Sequence, residues 1–425
     1  MLLNFTVKNY KTFKDEVEFS AVLSERDKTS LVNNIVQFPD QKISALKTSV
    51  VYGANASGKS KLFNAMNFMT RFILRTSSSS QKGDKIDVDP FRLNTETITQ
   101  DSEFEMVFLS KDGIQYRYGF SLNRNKVTEE WLFSKAQRET EVFYRFEDEE
   151  IDYNKTKFEI AKLIKSKNLL RENGLLLSLA DQLNDSLASE VIEWFKSFNV
   201  ISGNEPEGYE SFTIDKVQEN NNFRSRVEKF LSESDLGIDS LLVKDSEFPD
   251  SLSQLFTELP EKIKVYNRPD INVKKDVFDK DYRPVDEKSL FNLFKDESEG
   301  TQKMFALSGP IIDTLENGKT LVIDELCSKL HTNLLLNIIR LFNSKEFNKN
   351  NAQLIFNTHN VYILDPETFR RDQIWFMDKN IYGESNLYSL DEIKGVRTSD
   401  QYGKNYLLGK YGATPNVHYV SVNSI

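Results

Sequence analysis

Eight consecutive residues match the pattern G-x-x-x-x-G-K-[ST], whose glycine-rich loop binds the phosphates of a nucleotide. Glycines let backbone N–H groups face the phosphates, and the helix that follows such a loop adds the partial positive charge of its N-terminus. The lysine would reach the β- and γ-phosphates, and the final serine would hold Mg²⁺. The sequence therefore predicts a P-loop for ATP and Mg²⁺ made of Gly53, Ala54, Asn55, Ala56, Ser57, Gly58, Lys59 and Ser60.

Two adjacent acids, Asp324 and Glu325, follow the apolar residues 320–323. Buried strands do not end in neighbouring carboxylates for packing reasons. At the C-terminal edge of a parallel sheet, such acids lie where ligands bind. We expect Asp324 to hold Mg²⁺, directly or through water, and Glu325 to orient or deprotonate the attacking water.

The segments around these residues alternate between strand and helix patterns. Residues 48–52 are apolar and β-branched, and residues 61–69 space their apolar side chains as a helix does. Further along, the pattern predicts a helix over 300–315, a strand over 321–323, a helix over 334–342, and strands over 354–356 and 374–377. Alternation of this kind predicts an α/β fold with a parallel sheet.

The rest of the chain predicts two additions to this α/β unit. Alternating apolar residues in 1–21 and 103–146 indicate an antiparallel β subdomain. Residues 158–198, 223–230 and 252–256 have helical spacing, whereas the polar residues 204–222 indicate a loop. A chain of 425 residues is too long for one ordinary core. We therefore predict an N-terminal ATPase lobe (1–149), a mixed, helix-leaning insertion (150–288) and a C-terminal ATPase lobe (289–425).

The composition excludes several classes of protein. The 65 acids and 55 bases give a net charge of −10, which disfavours a surface that follows nucleic acid throughout. The single cysteine, Cys327, permits no internal disulfide, and with three histidines it cannot form a Cys/His zinc cluster. We see no signal peptide and no apolar run of about 20 residues, the length that crosses a bilayer. We expect a soluble, cytoplasmic protein.

Two further groups of residues resemble motifs of the ABC-type ATPases. Ser298, Gly300 and Gln302 have the spacing of the signature motif Ser-x-Gly-x-Gln, and His359, after the strand at 354–356, resembles the switch histidine. In that superfamily the signature of one subunit completes the γ-phosphate site on the P-loop of another, because a helix N-terminus favours an anion. The resemblance implies a homodimer or higher homo-oligomer with composite ATP sites, in which His359 contacts the γ-phosphate or the attacking water.

A narrower resemblance involves both ends of the chain. Residues 5–13 look like the first strand and turn of the RecF/SMC/OLD-type branch. With Asp324-Glu325-Leu326, Leu330-His331 and the tail at 406–415, the chain is similar to bacterial AAA-15/AAA-21 ATPases. These include abortive-infection and other anti-phage ATPases of the AbiL, PARIS and Septu kind. The resemblance implies a Mg²⁺-dependent ATPase that senses phage and controls a separate effector, a nuclease or toxin encoded by a neighbouring gene.

The sequence departs from this family in the loop after Glu325. Family members usually carry an Asp and a Ser at the places that Cys327 and Lys329 occupy here. This loop contacts the partner subunit in ABC dimers, so the departure concerns the coupling of the two sites. The glutamine of the Q-loop should follow a strand between Phe91 and Glu105, where Gln100 is the candidate.

Other functions also fit parts of the sequence. The chain could be a slow-turnover, nucleotide-gated scaffold, or a RecF/SMC-like DNA-repair ATPase, although it has no sustained heptad repeat. Pro269-Asp270 and Asp286-Glu287-Lys288 satisfy the permissive P-D…D-x-K pattern of metal-dependent nucleases, with a solvated loop or edge strand as the ordinary interpretation. The 66 residues after His359 are too few for the Toprim nuclease of OLD-type enzymes, so we expect the effector to be another chain.

Overall fold

The computed structural model describes residues 1–79, 81–146, 150–244 and 270–415. Two compact units divide them: the first holds Met1–Gly203, Thr314–Cys327 and Leu336–Ile425 as far as described, and the second holds Asn204–Asp313 and Ser328–Leu335. Within the described ranges, no helix combines the length and apolar character needed to cross a bilayer.

The strands and helices are numbered in chain order. The strands are β1 Leu2–Lys8, β2 Val17–Ser20, β3 Ile35–Phe38, β4 Ile43–Leu46, β5 Thr48–Gly53, β6 Ser102–Leu109, β7 Gln115–Leu122, β8 Val127–Lys135, β9 Glu139–Arg145, β10 Ile151–Tyr153, β11 Phe198–Ser202, β12 Ser240–Lys244, β13 Asp270–Phe278, β14 Pro284–Asn292, β15 Thr320–Asp324, β16 Gln353–Asn357, β17 Ile374–Lys379 and β18 Ser385–Ser389. The α-helices are α1 Lys59–Ser79, α2 Ile160–Ser166, α3 Leu176–Gln182, α4 Ser186–Lys196, α5 Glu207–Glu219, α6 Asn221–Ser232, α7 Glu299–Asn317, α8 Thr332–Asn343 and α9 Tyr402–Leu407.

The sheet that holds the candidate site has the strand order β11-β15-β16-β5-β17-β18. Its first five strands are parallel, and β18 closes the edge as an antiparallel neighbour of β17. Every residue of β5 and β16 is buried, as expected for central parallel strands covered on both faces. The α/β fold predicted from the sequence is confirmed.

The predicted antiparallel subdomain is a sheet of order β10-β9-β8-β7-β6-β1-β2. Its alternating apolar side chains enter the main core of the first unit, where Phe104 packs against Phe68 of α1 with ring centroids 5.0 Å apart. Helix α1 also contacts α3, α4, β11 and β15. The helix that follows the P-loop is thus fixed by packing along its length.

The structure corrects one prediction about the middle of the chain and adds a strand that was not predicted. The polar residues 204–222 are not a loop, because they contain helix α5. Residues 198–202 form β11, an edge strand of the parallel sheet that no sequence pattern indicated. The helix predicted over 252–256 lies outside the described residues.

The second unit contains α5, α6, the sheet β12-β13-β14 and the first parts of α7 and α8. Thr213 of α5 packs against Gly309 of α7, where a side chain on the glycine would collide with Thr213. The Thr213 hydroxyl also donates to the Ala306 carbonyl oxygen at 2.7 Å. Close helix packing therefore orders the unit that carries Ser298 and Gly300.

Candidate functional site

The P-loop lies between the C-terminal end of β5 and the start of α1. Gly58 has a φ of +115°, and a Cβ there would lie 2.5 Å from the Ser385 hydroxyl oxygen, so only glycine fits. A Cβ on Gly53 would collide with the Met377 carbonyl oxygen. The Ser385 hydroxyl also donates to the Ser57 carbonyl oxygen at 2.7 Å. Both glycines of the motif are therefore required by neighbouring strands β17 and β18.

Lys59 is 6% exposed, and its ammonium group donates to the carbonyl oxygens of Gly53 at 2.7 Å and Ala54 at 2.9 Å. Burial lowers the pKa of Lys59 from 10.5 to about 8, against the opposing effects of Glu325 and Asp324. The amine thus lies against the backbone of the first two residues of the P-loop. A bound phosphate could replace these two carbonyl contacts.

This pKa leads us to expect that ATP binding weakens above pH 8. Phosphate binds the protonated amine, so the dissociation constant should be steady below about pH 8 and rise up to about tenfold per pH unit above it. Titration of a fluorescent ATP analogue between pH 7 and 9.5 measures this. In Lys59→Arg the guanidinium stays charged, so the same range should be flat. A flat profile in the unmodified protein would contradict the expectation.

Ser60 and Asp324 lie together at the start of α1 and the end of β15. The Ser60 hydroxyl donates to Asp324 Oδ1 at 3.0 Å, and the Asn357 amide donates to the same oxygen. A hydroxyl and a carboxylate oxygen are ligands that Mg²⁺ prefers. Among the described residues, no three His, Cys, Asp or Glu side chains cluster to hold a metal. These residues fit a Mg²⁺ ion that takes its remaining ligands from nucleotide phosphates and water.

Glu325 is held in a left-handed backbone conformation, with a φ of 57°. Its N–H donates to Asn357 Oδ1 at 2.7 Å, and the Gly203 N–H donates to the Asp324 carbonyl oxygen at 2.6 Å. A side chain on Gly203 would press on the Glu325 carbonyl oxygen. The turn after β15 is therefore fixed from both neighbouring strands, β11 and β16.

Asn357 is a residue of this site to which the sequence reasoning gave no role. It is fully buried at the end of β16, where its side-chain Nδ2 donates to Asp324 Oδ1 and its side-chain Oδ1 accepts the Glu325 N–H. Pairing of Ile323 with Phe356 makes Asp324 and Asn357 neighbours. Asn357 could have been identified from the sequence as a polar residue at the end of β16, the predicted strand that follows the one ending in Asp324.

His359 follows β16 on a loop at the same edge of the sheet. Partial burial, and next the positive charge of Lys59, lower the pKa of His359 below 6.5, although Glu325 and Asp324 oppose this. His359 lies two residues after Asn357, whose side chain contacts Asp324 and the Glu325 N–H, and the Thr358 N–H donates to the carbonyl oxygen of Val51, two residues before Gly53. The structure thus brings together the P-loop, Asp324, Glu325 and His359, while their chemical roles remain predictions.

The signature residues lie in the second unit, at the start of α7. The Ser298 hydroxyl accepts the Thr301 N–H at 3.2 Å, and the Gln302 amide donates to the Glu297 carbonyl oxygen at 2.9 Å. Ser298 is exposed, and a Cβ on Gly300 would lie 2.9 Å from the Lys329 carbonyl oxygen. The motif is thus a capped helix start whose serine reaches solvent.

The loop after Glu325 explains one departure from the family pattern. The Lys329 ammonium forms an ion pair with Glu299 at 3.3 Å, and the Lys303 ammonium donates to the Ser328 carbonyl oxygen at 2.7 Å. Residues 328 and 329 therefore contact the signature helix of their own chain. The structure gives no reason for a cysteine at 327.

Gln100 does not have the position expected of a Q-loop glutamine. No strand occurs between Phe91 and Asp101, which the structure describes completely, and Gln100 instead ends a short 3₁₀ helix before β6. Its carbonyl oxygen accepts the Asn9 amide at 2.9 Å, whereas its side chain is exposed. We therefore drop Gln100 as a candidate.

The nuclease-like pattern does not form a metal site. Asp270 begins β13 and Asp286 lies near the opposite end of the β13–β14 hairpin, since Asp276 pairs with Lys288 and Asn272 with Asn292. This register separates the two acids by roughly 25 Å along the strands. Lys288 is held by Asp276 and Asp239. The pattern is explained by an exposed hairpin with ion pairs.

Comparison with known proteins gives one matching family and several structures of similar fold. The family model AAA_21, "AAA domain, putative AbiEii toxin, Type IV TA system", matches residues 49–365. The structure is similar to the SMC head domain from Thermotoga maritima, with a TM-score of 0.42, 14% identity, and coverage of 91% of this chain and 98% of that chain. It is also similar to the SmcHead bound to the C-winged helix domain of ScpA, with a TM-score of 0.45, 12% identity, and coverage of 91% and 97%. The sequence matches no curated protein.

Proposed function

The chain belongs to the AAA_21 family, and from that premise we propose that it binds ATP with Mg²⁺ and hydrolyses it to ADP and phosphate. Lys59 binds the β- and γ-phosphates, Ser60 and Asp324 hold the metal ion, and Glu325 orients or deprotonates the attacking water. His359 contacts the γ-phosphate or that water. The contact between the Ser60 hydroxyl and Asp324 Oδ1 at 3.0 Å carries the proposal, because it links the P-loop to the acidic strand end.

Phosphate release by the purified protein tests this proposal. We expect turnover with ATP and Mg²⁺, and loss of more than nine-tenths of it when the metal is chelated. Restoring Mg²⁺ should restore the rate, because the proposed ion binds with the nucleotide and is not part of the fold. Equal rates with and without divalent metal, or no turnover despite ATP binding, would contradict the proposed hydrolysis.

We further propose that the ATP sites are composite. Ser298 and Gly300 would approach the γ-phosphate on the P-loop of a second copy, with Gln302 holding the turn before α7 through the Glu297 carbonyl. An exposed serine at a helix start can donate to an anion, and the helix dipole favours that anion. Nucleotide binding would then control association of two chains.

The biological output that we propose is regulation of a separate effector in bacterial anti-phage defence. The family description reads "putative AbiEii toxin, Type IV TA system", and this toxin–antitoxin wording supports the proposal of a defence role. The nuclease-like acids lie too far apart for a shared metal, which favours an effector on another chain. Purification with the product of a neighbouring gene, with ATP and without it, tests for a nucleotide-dependent complex. Nuclease activity of the highly purified chain alone would contradict a separate effector.

A further inference from the structure

The C-terminal tail at 406–415 has no role in the function proposed above, yet it packs against β5, the strand that leads into the P-loop. Helix α9 and the turn that follows it contribute Tyr406 and Tyr411 to an aromatic cluster. Its members are Tyr52, Phe376, Tyr388, Tyr406 and Tyr411. Ring centroids lie 5.7 Å apart for Tyr52 and Tyr406, and 5.4 Å apart for Phe376 and Tyr406. Tyr52, the residue before Gly53, is 1% exposed, so this cluster fixes its ring.

The tyrosine hydroxyls of this aromatic cluster have different partners. Tyr388 donates to the Tyr411 carbonyl oxygen at 2.7 Å, and Tyr406 donates to the Ala413 carbonyl oxygen at 3.0 Å. Those two bonds hold the C-terminal turn in place. The Tyr52 hydroxyl instead donates to the Asn360 carbonyl oxygen at 2.9 Å, on the loop that carries His359.

This bond is one of several that hold the loop on both sides of His359. Before it, the Thr358 N–H donates to the Val51 carbonyl oxygen at 3.3 Å. After it, the Asn360 N–H donates to the Thr358 hydroxyl oxygen at 3.0 Å, and the Tyr52 hydroxyl binds the Asn360 carbonyl. Since Val51 and Tyr52 immediately precede the P-loop, the same two residues set the position of the loop relative to the phosphate site.

We propose that Tyr52 is a positioning residue for His359. The Tyr52 hydroxyl keeps the loop that carries His359 at a fixed distance from the P-loop. The inference rests on the proposed ATPase function. Without the hydroxyl, the Asn360 carbonyl loses this donor and the histidine ring can shift from the γ-phosphate position. Displacements near 1 Å can reduce a rate by up to about 100-fold. The phosphate contacts of the P-loop are unchanged by the substitution, so we expect little effect on ATP binding.

The test compares Tyr52→Phe with Tyr388→Phe in the full chain. Each variant removes one tyrosine hydroxyl of the aromatic cluster that donates to a backbone carbonyl in a part-buried hydrogen bond, but only the Tyr52 bond reaches the histidine loop. We expect Tyr52→Phe to lower kcat about tenfold with KM for ATP within twofold, and Tyr388→Phe to leave both within twofold. Equal effects of the two variants on kcat would overturn the inference.

A double variant separates positioning from general stability. If Tyr52 acts through His359, then adding Tyr52→Phe to His359→Ala should lower kcat no further. Multiplying effects would show that Tyr52 acts independently of His359 and would overturn the inference.

Imidazole NMR signals give a readout that does not require turnover. The His359 ¹H–¹³C signals, assigned by their loss in His359→Ala, should shift in Tyr52→Phe and not in Tyr388→Phe. Unchanged His359 signals in Tyr52→Phe would overturn the positioning role. Absent phosphate release in the unmodified protein would refute the ATPase proposal alone, so the two failures are distinguishable.

Discussion

Glu325→Gln is expected to abolish ATP turnover while the protein still binds ATP. The amide keeps the size of the carboxylate but cannot accept a proton from water. Loss of a general base lowers rates by about 10²–10⁴-fold, so phosphate release should fall at least 100-fold. The left-handed turn at Glu325 is held by the Asn357 side chain through the backbone N–H, which the substitution leaves unchanged.

Lys59→Ala and Glu367→Gln are the two comparisons for this variant. Lys59→Ala removes the ammonium group of the P-loop, so both ATP binding and turnover should be lost. Glu367 is an exposed carboxylate of the same unit, and Glu367→Gln should match the unmodified protein. Phosphate release and fluorescent-nucleotide titration distinguish the three outcomes. Full hydrolysis by Glu325→Gln would mean that another group positions the water.

The predictable parts of the fold are those that depend on patterns within short segments of the sequence. The P-loop is recognisable because Gly53 and Gly58 each have a neighbouring atom that leaves no room for a side chain. The two glycines therefore occur at a fixed spacing in the sequence. The antiparallel sheet is recognisable because its alternating apolar residues face one core. In both cases a short segment contains the information.

The parts that were missed depend on neighbours distant in the sequence. Strand β11 has mostly half-buried residues, so it has neither the alternation of a one-sided strand nor a continuous apolar run. Helix α5 is polar enough to resemble a loop, and its buried residues, such as Thr213, include polar ones that pack against α7. Asn357 lies beside Asp324 only because β15 and β16 pair in a particular parallel register. A local sequence pattern does not reveal that register.

Ser298→Arg, placed in the Glu325→Gln background, is expected to prevent ATP-dependent dimers. Glu325→Gln should stabilise the ATP-bound state, so ATP and Mg²⁺ should convert one chain to a dimer in light scattering. Ser298 is exposed at the start of α7, where an arginine would occupy the space of the partner's γ-phosphate. ATP would still bind the P-loop of each monomer, since Lys59 and Ser60 are unchanged.

Asn220→Arg is the matched control, because the substitution at Ser298 also removes a helix cap. The Asn220 side chain caps α6 in the same unit by accepting the Phe223 N–H at 3.0 Å, and it is exposed as well. Both variants therefore lose a cap worth about 1 kcal/mol and gain the same side chain. We expect Asn220→Arg to dimerise with ATP and Ser298→Arg to remain monomeric, with similar affinities for a fluorescent nucleotide. A dimer that persists in Ser298→Arg would place the signature outside the interface and leave each P-loop as a complete site within one chain.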